Sequence, residues 1–188
     1  LIHLGSSSEY GQNKSPIKET FQCKPKNTYG KSKFKCSNYI LNFRHKNLKY
    51  IIFRLFQVYG EHQKQDKLIP YVIEKSKKNL EFKVSSGKQI RDYLHVDDLV
   101  DAIYKAIFSK KAECKIINLG SGSPVTVKKI INIICSITKT GKPKFGALKI
   151  NPGESQKIYP SIKRAKAYLN WIPKVKLRSG IKRIIENF

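Results

Sequence analysis

Tyr50-Ile51-Ile52-Phe53-Arg54-Leu55 is the stretch that decides the fold. It is β-branched and apolar without a polar alternation, as a strand covered on both faces should be. Outward toward the N-terminus, a helix is predicted from Asn27 or Thr28 to about Phe43, carrying Phe34, Tyr39, Ile40 and Phe43. Before it, Leu1-Ile2-His3-Leu4 reads as a hydrophobic strand ending at Gly5, followed by a loop over 11–28 rich in Pro, Gly, Asn and Lys. Strand, helix, strand in that order implies a parallel α/β sheet.

Outward toward the C-terminus, Leu68 to Ser76 reads as a helix, with Pro70 in the first turn, where a missing N–H costs nothing. Leu80 to Val84 alternates like a half-exposed strand. Next comes a helix carrying Leu99, Val100, Ile103, Ala106 and Ile107, with Asp97 expected as its cap and Asp98 in its first turn. A strand is expected at Lys115–Gly120 and a helix over Val127–Thr138. A Gly/Pro-rich loop is expected over 141–160. Two terminal helices, Ile162–Leu169 and Leu177–Ile185, are joined through Trp171-Ile172-Pro173. Because the chain opens inside an apolar run and contains no Met, an upstream segment is expected.

The formal charge is +25, from 38 basic and 13 acidic residues. Such a balance raises nucleic acid as a partner. Only six of the cations are Arg, however, and arginine forks carry most base readout. The aromatics are dispersed through expected core elements and form no stacking stripe. Solvated Lys-rich faces are therefore expected, with no nucleic-acid partner, and the positive field would draw in an anionic small substrate. Cys23, Cys36, Cys114 and Cys135 have no metal-ligand spacing and read as buried free thiols of a reducing compartment. No apolar run reaches the length of a membrane span.

Chemistry enters with Tyr29-Gly30-Lys31-Ser32-Lys33. Four residues apart on a helix, Tyr29 and Lys33 share a face. An ammonium beside a phenol favours phenolate, so such a tyrosine is suited to take a proton from a sugar hydroxyl or return it. Ser6 follows directly on a buried strand, at the carboxyl edge where parallel sheets present ligands. Its hydroxyl is placed to hold a substrate oxygen against Tyr29.

Together with Gly5-Ser6-Ser7-Ser8-Glu9-Tyr10-Gly11, Arg54-Leu55-Phe56-Gln57-Val58-Tyr59-Gly60, Arg91-Asp92-Tyr93-Leu94-His95-Val96-Asp97-Asp98, Asn118-Leu119-Gly120-Ser121-Gly122 and Leu169-Asn170-Trp171-Ile172-Pro173-Lys174, the Tyr29–Lys33 segment resembles the extended short-chain dehydrogenase/reductase superfamily. Within it, the chain is similar to the NAD-dependent nucleotide-sugar epimerase/dehydratase family, of which it would form about the last two thirds. The resemblance implies a partial Rossmann-like parallel sheet, its N-terminal strands absent, and a small α/β substrate-binding lobe. The NAD-binding part would take residues 1–60 and 91–118, and the nucleotide-sugar lobe 61–90 and 119–188.

By the same resemblance Ser6, Tyr29 and Lys33 are the catalytic group, with Tyr29 and Lys33 also contacting NAD. Ser6, Ser7, Gln57, Arg91 and Asn151 are expected at a nucleoside-diphosphate sugar, with no metal. A homodimer in the cytoplasm is implied, built through the helix that starts near Tyr29. Gln57 replaces the family's asparagine, and Asn151 stands where relatives place a diphosphate-clamping arginine. Relatives that dehydrate the sugar carry an acidic pair where this chain has Ser7 and Ser8, which argues against a dehydratase. An epimerase working through a 4-keto sugar, a 4-keto-6-deoxysugar reductase of surface-polysaccharide synthesis, and a silent nucleotide-sugar-binding protein stay open. The expected activity is that of a full-length protein, which would carry the glycine-rich cofactor loop, rather than of these residues alone.

Overall fold

A computed structural model describes residues 1–43, 47–150 and 155–188. In chain order the strands are β1 (Ile2–Ser6), β2 (Ile51–Leu55), β3 (Gln57–Tyr59), β4 (Glu81–Val84), β5 (Ile90–Arg91), β6 (Tyr93–His95), β7 (Lys115–Leu119), β8 (Val125–Thr126), β9 (Lys142–Phe145) and β10 (Lys157–Ile158). The helices are α1 (Thr28–Asn42), α2 (Leu68–Lys77), α3 (Val96–Ile107), α4 (Val127–Thr138), α5 (Lys163–Leu169) and α6 (Leu177–Glu186).

The expected parallel sheet is present, in the order β1-β2-β7. Its register sets Ser6 against Leu55 and Leu55 against Leu119, so the three carboxyl ends share one rim. β2 is the central strand; four of its five residues are buried, the burial that its unbroken apolar run implies. Phe53, Ile117 and Leu119 pack with Leu99, Ala102 and Ala106 of α3 and with Leu169 and Trp171. A second core is built by α2, α4 and α6 around Tyr59, Phe82 and Val84. A third, small cluster of Tyr10, Ile17 and Phe56 lies under the loop that leads from β1 to α1. By packing, α5 and Trp171 belong with the β1-β2-β7 sheet, although in sequence they lie between α4 and α6 of the second core.

Several local expectations are corrected. The 141–160 stretch contains β9, paired in parallel with β4, and β10, paired with β5. Lys142-Pro143-Lys144-Phe145 lies at the edge of its two-stranded sheet, where a proline costs no ladder bond, and its lysines conceal the strand in sequence. The cap of α3 is His95, not Asp97: its Nδ1 accepts the Asp97 N–H at 3.2 Å, and Asp97 and Asp98 occupy the first turn. The thiols are free but not buried; Cys36 and Cys114 are exposed, and Cys23 and Cys135 half-buried.

Candidate active site

β1 ends at Ser6, which is also the N-cap of a single 3-10 turn, Ser7–Tyr10. Ser6-Ser7-Ser8-Glu9 is a capping box: Ser6 Oγ accepts the Ser8 N–H at 3.1 Å, and Glu9 Oε1 accepts the Ser6 N–H at 2.9 Å. Ser6 is 6% exposed at the rim, and Ser7 beside it is half-buried. Glu9 is fully buried and forms an ion pair with Arg54 of β2, Oε2 to Nε at 3.0 Å.

α1 begins against this turn. Asn27 caps it by accepting the Gly30 N–H at 2.7 Å. A Cβ on Gly30 would lie 2.5 Å from the Ser8 carbonyl oxygen, so the glycine lets the helix start approach the Ser6–Ser8 backbone closely. Tyr29 is 57% exposed, with the Lys33 ammonium 5.9 Å from its ring centroid. Lys33 Nζ also donates to the Leu4 carbonyl at 3.0 Å, which ties the pair to β1 two residues before Ser6. Burial, with the Lys33 ammonium second, pushes His3 on the same strand below its usual pKa.

Gln57 and Arg91 lie elsewhere, in a cleft of about 570 Å³ between β3, β5 and α2. Lys67, Lys83 and Lys149 also line it, with Asp66 as its one carboxylate among the described residues. Arg91 is buried, and its guanidinium donates to the carbonyl oxygens of Ile90 and Gln156 at 2.9 and 3.4 Å. Ser6, Ser7, Tyr29 and Lys33 do not line this cleft. The two groups meet through the backbone, since Leu55, paired with Ser6, is two residues from Gln57. Asn151 lies outside the described residues.

Sequence reasoning missed Glu9 and the cleft lysines Lys67 and Lys83. Glu9 was legible as the fourth residue of a Ser-x-x-Glu capping pattern. The lysines carry no such mark among the many in this chain. Among the described residues no cluster of His, Cys, Asp and Glu could hold a metal, and no helix is long and apolar enough to cross a membrane.

The model of the NAD dependent epimerase/dehydratase family matches residues 1–120. The chain belongs to that family. Within it, the chain is 33% identical to a dTDP-4-dehydro-6-deoxyglucose reductase of Escherichia coli, a match covering 95% of this chain and 57% of the relative. It is 28% identical to a UDP-glucose 4-epimerase of Rhizobium meliloti, over 94% of this chain and 60% of that one. Among solved structures, the UDP-glucose 4-epimerase of Thermotoga maritima with UDP-glucose superimposes with a TM-score of 0.90 at 28% identity, covering 98% of this chain and 62% of that one. The fold is therefore that of Rossmann-type epimerases of the family, and the chain spans about three fifths of these relatives' length.

Proposed function

We propose that the full-length protein is an NAD-dependent epimerase acting on a nucleoside-diphosphate sugar through a 4-keto intermediate. The observation that carries this reading is the Tyr29–Lys33 pair, hydrogen-bonded to β1 just before Ser6 at the carboxyl rim of a parallel sheet. Solved relatives include a UDP-glucuronic acid 4-epimerase from Bacillus cereus in complex with NAD and substrate, which supports both the cofactor and the substrate class.

The residues present suit the nicotinamide–ribose end of that cofactor: an exposed phenol and an ammonium stand together beside the strand ends. When bound, NAD supplies the acceptor and donor of hydride. Tyr29 takes the proton of the sugar 4-hydroxyl as the C4–H bond breaks, and returns it when the C4–H bond forms again on the other face. Lys33, its ammonium 5.9 Å from the Tyr29 ring centroid, suits the ribose hydroxyls of the cofactor. Ser6 donates its O–H to the same sugar oxygen and steadies the charge that develops there. Two amide or guanidinium groups, Gln57 and Arg91, and the three lysines of the cleft suit a diphosphate. Asn151 completes the proposed substrate set.

A reductase of a 4-keto-6-deoxysugar is the second reading, favoured by the Escherichia coli relative and by hydroxyls at Ser7 and Ser8 where a dehydratase needs carboxyls. It would use only the return of hydride and proton. The proposal keeps residues 1–60 and 91–118 for the cofactor and 61–90 and 119–188 for the sugar. It also keeps a homodimer through α1, where Tyr39 and the C-cap Phe43 are exposed, and a cytoplasmic location, which four free cysteines suit.

The test is a screen of the full-length protein with NAD(H) or NADP(H) against UDP-glucose, UDP-glucuronic acid and dTDP-4-dehydro-6-deoxyglucose. Products are read by mass spectrometry and NMR, and cofactor by absorbance at about 340 nm. Conversion without net cofactor change supports the epimerase, and stoichiometric oxidation of reduced cofactor supports the reductase. Inactivity across the panel contradicts both.

A further inference from the structure

We propose that Glu9 is a positioning residue for Ser6, an inference that rests on the catalytic role proposed for that serine. Glu9 is fully buried, and each carboxylate oxygen has one directed partner: Oε1 takes the Ser6 N–H at 2.9 Å, and Oε2 takes Arg54 Nε at 3.0 Å. Arg54, 3% exposed, lies with its guanidinium carbon 4.5 Å from the Tyr10 ring centroid. Tyr10 Oη in turn donates to Asn118 Oδ1 on β7 at 2.7 Å. Glu9 thus ties the turn after β1 to β2, and the adjacent Tyr10 ties the same turn to β7.

Stability alone does not account for this network. Two charges withdrawn from water lose hydration that their attraction only partly returns, and well-packed apolar residues would hold the same space at least as firmly. What an apolar pair cannot do is accept the Ser6 N–H. That bond closes the capping box, which in turn fixes Ser6 Oγ on the Ser8 N–H and leaves the hydroxyl proton free to donate to a substrate. The glycine before Ser6 serves the same contact, because a Cβ on Gly5 would overlap Glu9 Oε1 and approach the Phe53 carbonyl oxygen to 3.0 Å.

The experiment uses the full-length protein, with Glu9→Ala and Glu9→Gln made in wild-type and Ser6→Ala backgrounds. Turnover is followed on the substrate panel named above, and exchange of the Ser6 amide is followed by NMR. Glu9→Ala is expected to lower kcat by roughly 30-fold with little change in KM, as a displaced catalytic group does. Glu9→Gln keeps an acceptor for the Ser6 N–H and is expected to recover much of that loss. With Ser6 already alanine, Glu9→Ala should cost less than about threefold more in kcat, because the group it positions is gone. A purely structural role would give the same fold-loss in both backgrounds, which overturns the proposal.

Amide exchange separates this idea from its parent. If the wild type is inert on the whole panel, the enzymatic reading fails, yet faster Ser6 exchange in folded Glu9→Ala still supports Glu9 as the group that sets the serine. Unchanged Ser6 protection in that variant overturns the proposal whatever the activity. Should Glu9→Ala fail to fold, Glu9→Gln decides: wild-type kcat and exchange support the acceptor role, and a kcat loss with Ser6 protection intact overturns it.

Discussion

The indole N–H of Trp171 donates to the carbonyl oxygen of Asp98 at 3.1 Å. The carboxylate of the same aspartate takes the N–H groups of Lys174 and Val175, at 2.8 and 3.0 Å. The first turn of α3 therefore clamps the connection between α5 and α6, and Trp171 is driven into the sheet core. Asp98→Ala removes the acceptor of two part-buried N–H groups and is expected to cost about 2 kcal/mol, while Asp98→Asn, with one acceptor, costs about half of that. Urea unfolding followed by Trp fluorescence reads this directly, since Trp171 is the only tryptophan in the chain.

Gly180 of α6 faces Tyr59 and His95 so closely that a Cβ would lie 2.8 Å from His95 Cδ2. Alanine is the better helix former by about 1 kcal/mol, but overpacking costs about 1–3 kcal/mol, so Gly180→Ala is expected to destabilise. Tyr59 Oη is buried without a hydrogen-bond partner among the described residues. Tyr59→Phe should therefore be neutral or stabilising, and should recover stability in the Gly180→Ala background, as chemical denaturation of the two single variants and the double would reveal.

Burial raises the pKa of four tyrosines: Tyr50, Tyr10 and Tyr93, the last two to about 12, and Tyr59 further. The folded state then holds these protons more tightly than the unfolded chain. The stability they contribute is complete below the ordinary value of about 10 and is lost as pH rises through the folded values. Absorbance titration near 295 nm should show the exposed phenols ionising first and a late group that ionises together with loss of the Trp signal. A single early transition for all ten tyrosines would contradict the burial assigned to them.

Asp92 is fully buried, and its Oδ1 accepts the Ser121 N–H. Burial lifts its pKa above 3.8, against the pull of N–H groups at Ser121, Gly122 and Ser123. Its contribution to stability is therefore full below the ordinary carboxylate value and declines as pH rises through the folded one. Asp92→Asn has no proton to lose; its stability should be less dependent on pH over that window and no lower than wild type at neutral pH. Denaturant midpoints measured across the mildly acidic range check the sign.

Much of this was legible in the chain. The unbroken apolar run at 51–55 implies a central parallel strand because a strand covered on both faces leaves no polar alternation, and β2 has that burial. Helix α4 is found over the expected Val127–Thr138, with Ile130, Ile131 and Ile134 buried at helical spacing. The strands that escaped are short or charged: β9 shows only Pro143 and Phe145 between lysines, too few residues for a period to register. The His95 cap was hidden because an imidazole nitrogen serves as acceptor there, while the two aspartates beside it carry the stronger statistical preference. At the site, the spacing of Tyr29 and Lys33 gives their shared face directly. The separation of Gln57 and Arg91 into a cleft of their own is a tertiary fact that no local pattern carries.

The most direct test of the central claim is turnover of full-length Tyr29→Phe on the nucleotide-sugar panel. Tyr29 is 57% exposed, so its hydroxyl is expected to contribute little to folding, and the variant should melt with the wild type. The account expects kcat to fall by about 10²–10⁴, the loss that follows removal of a proton-transfer group. Wild-type kcat in a folded Tyr29→Phe protein would contradict it.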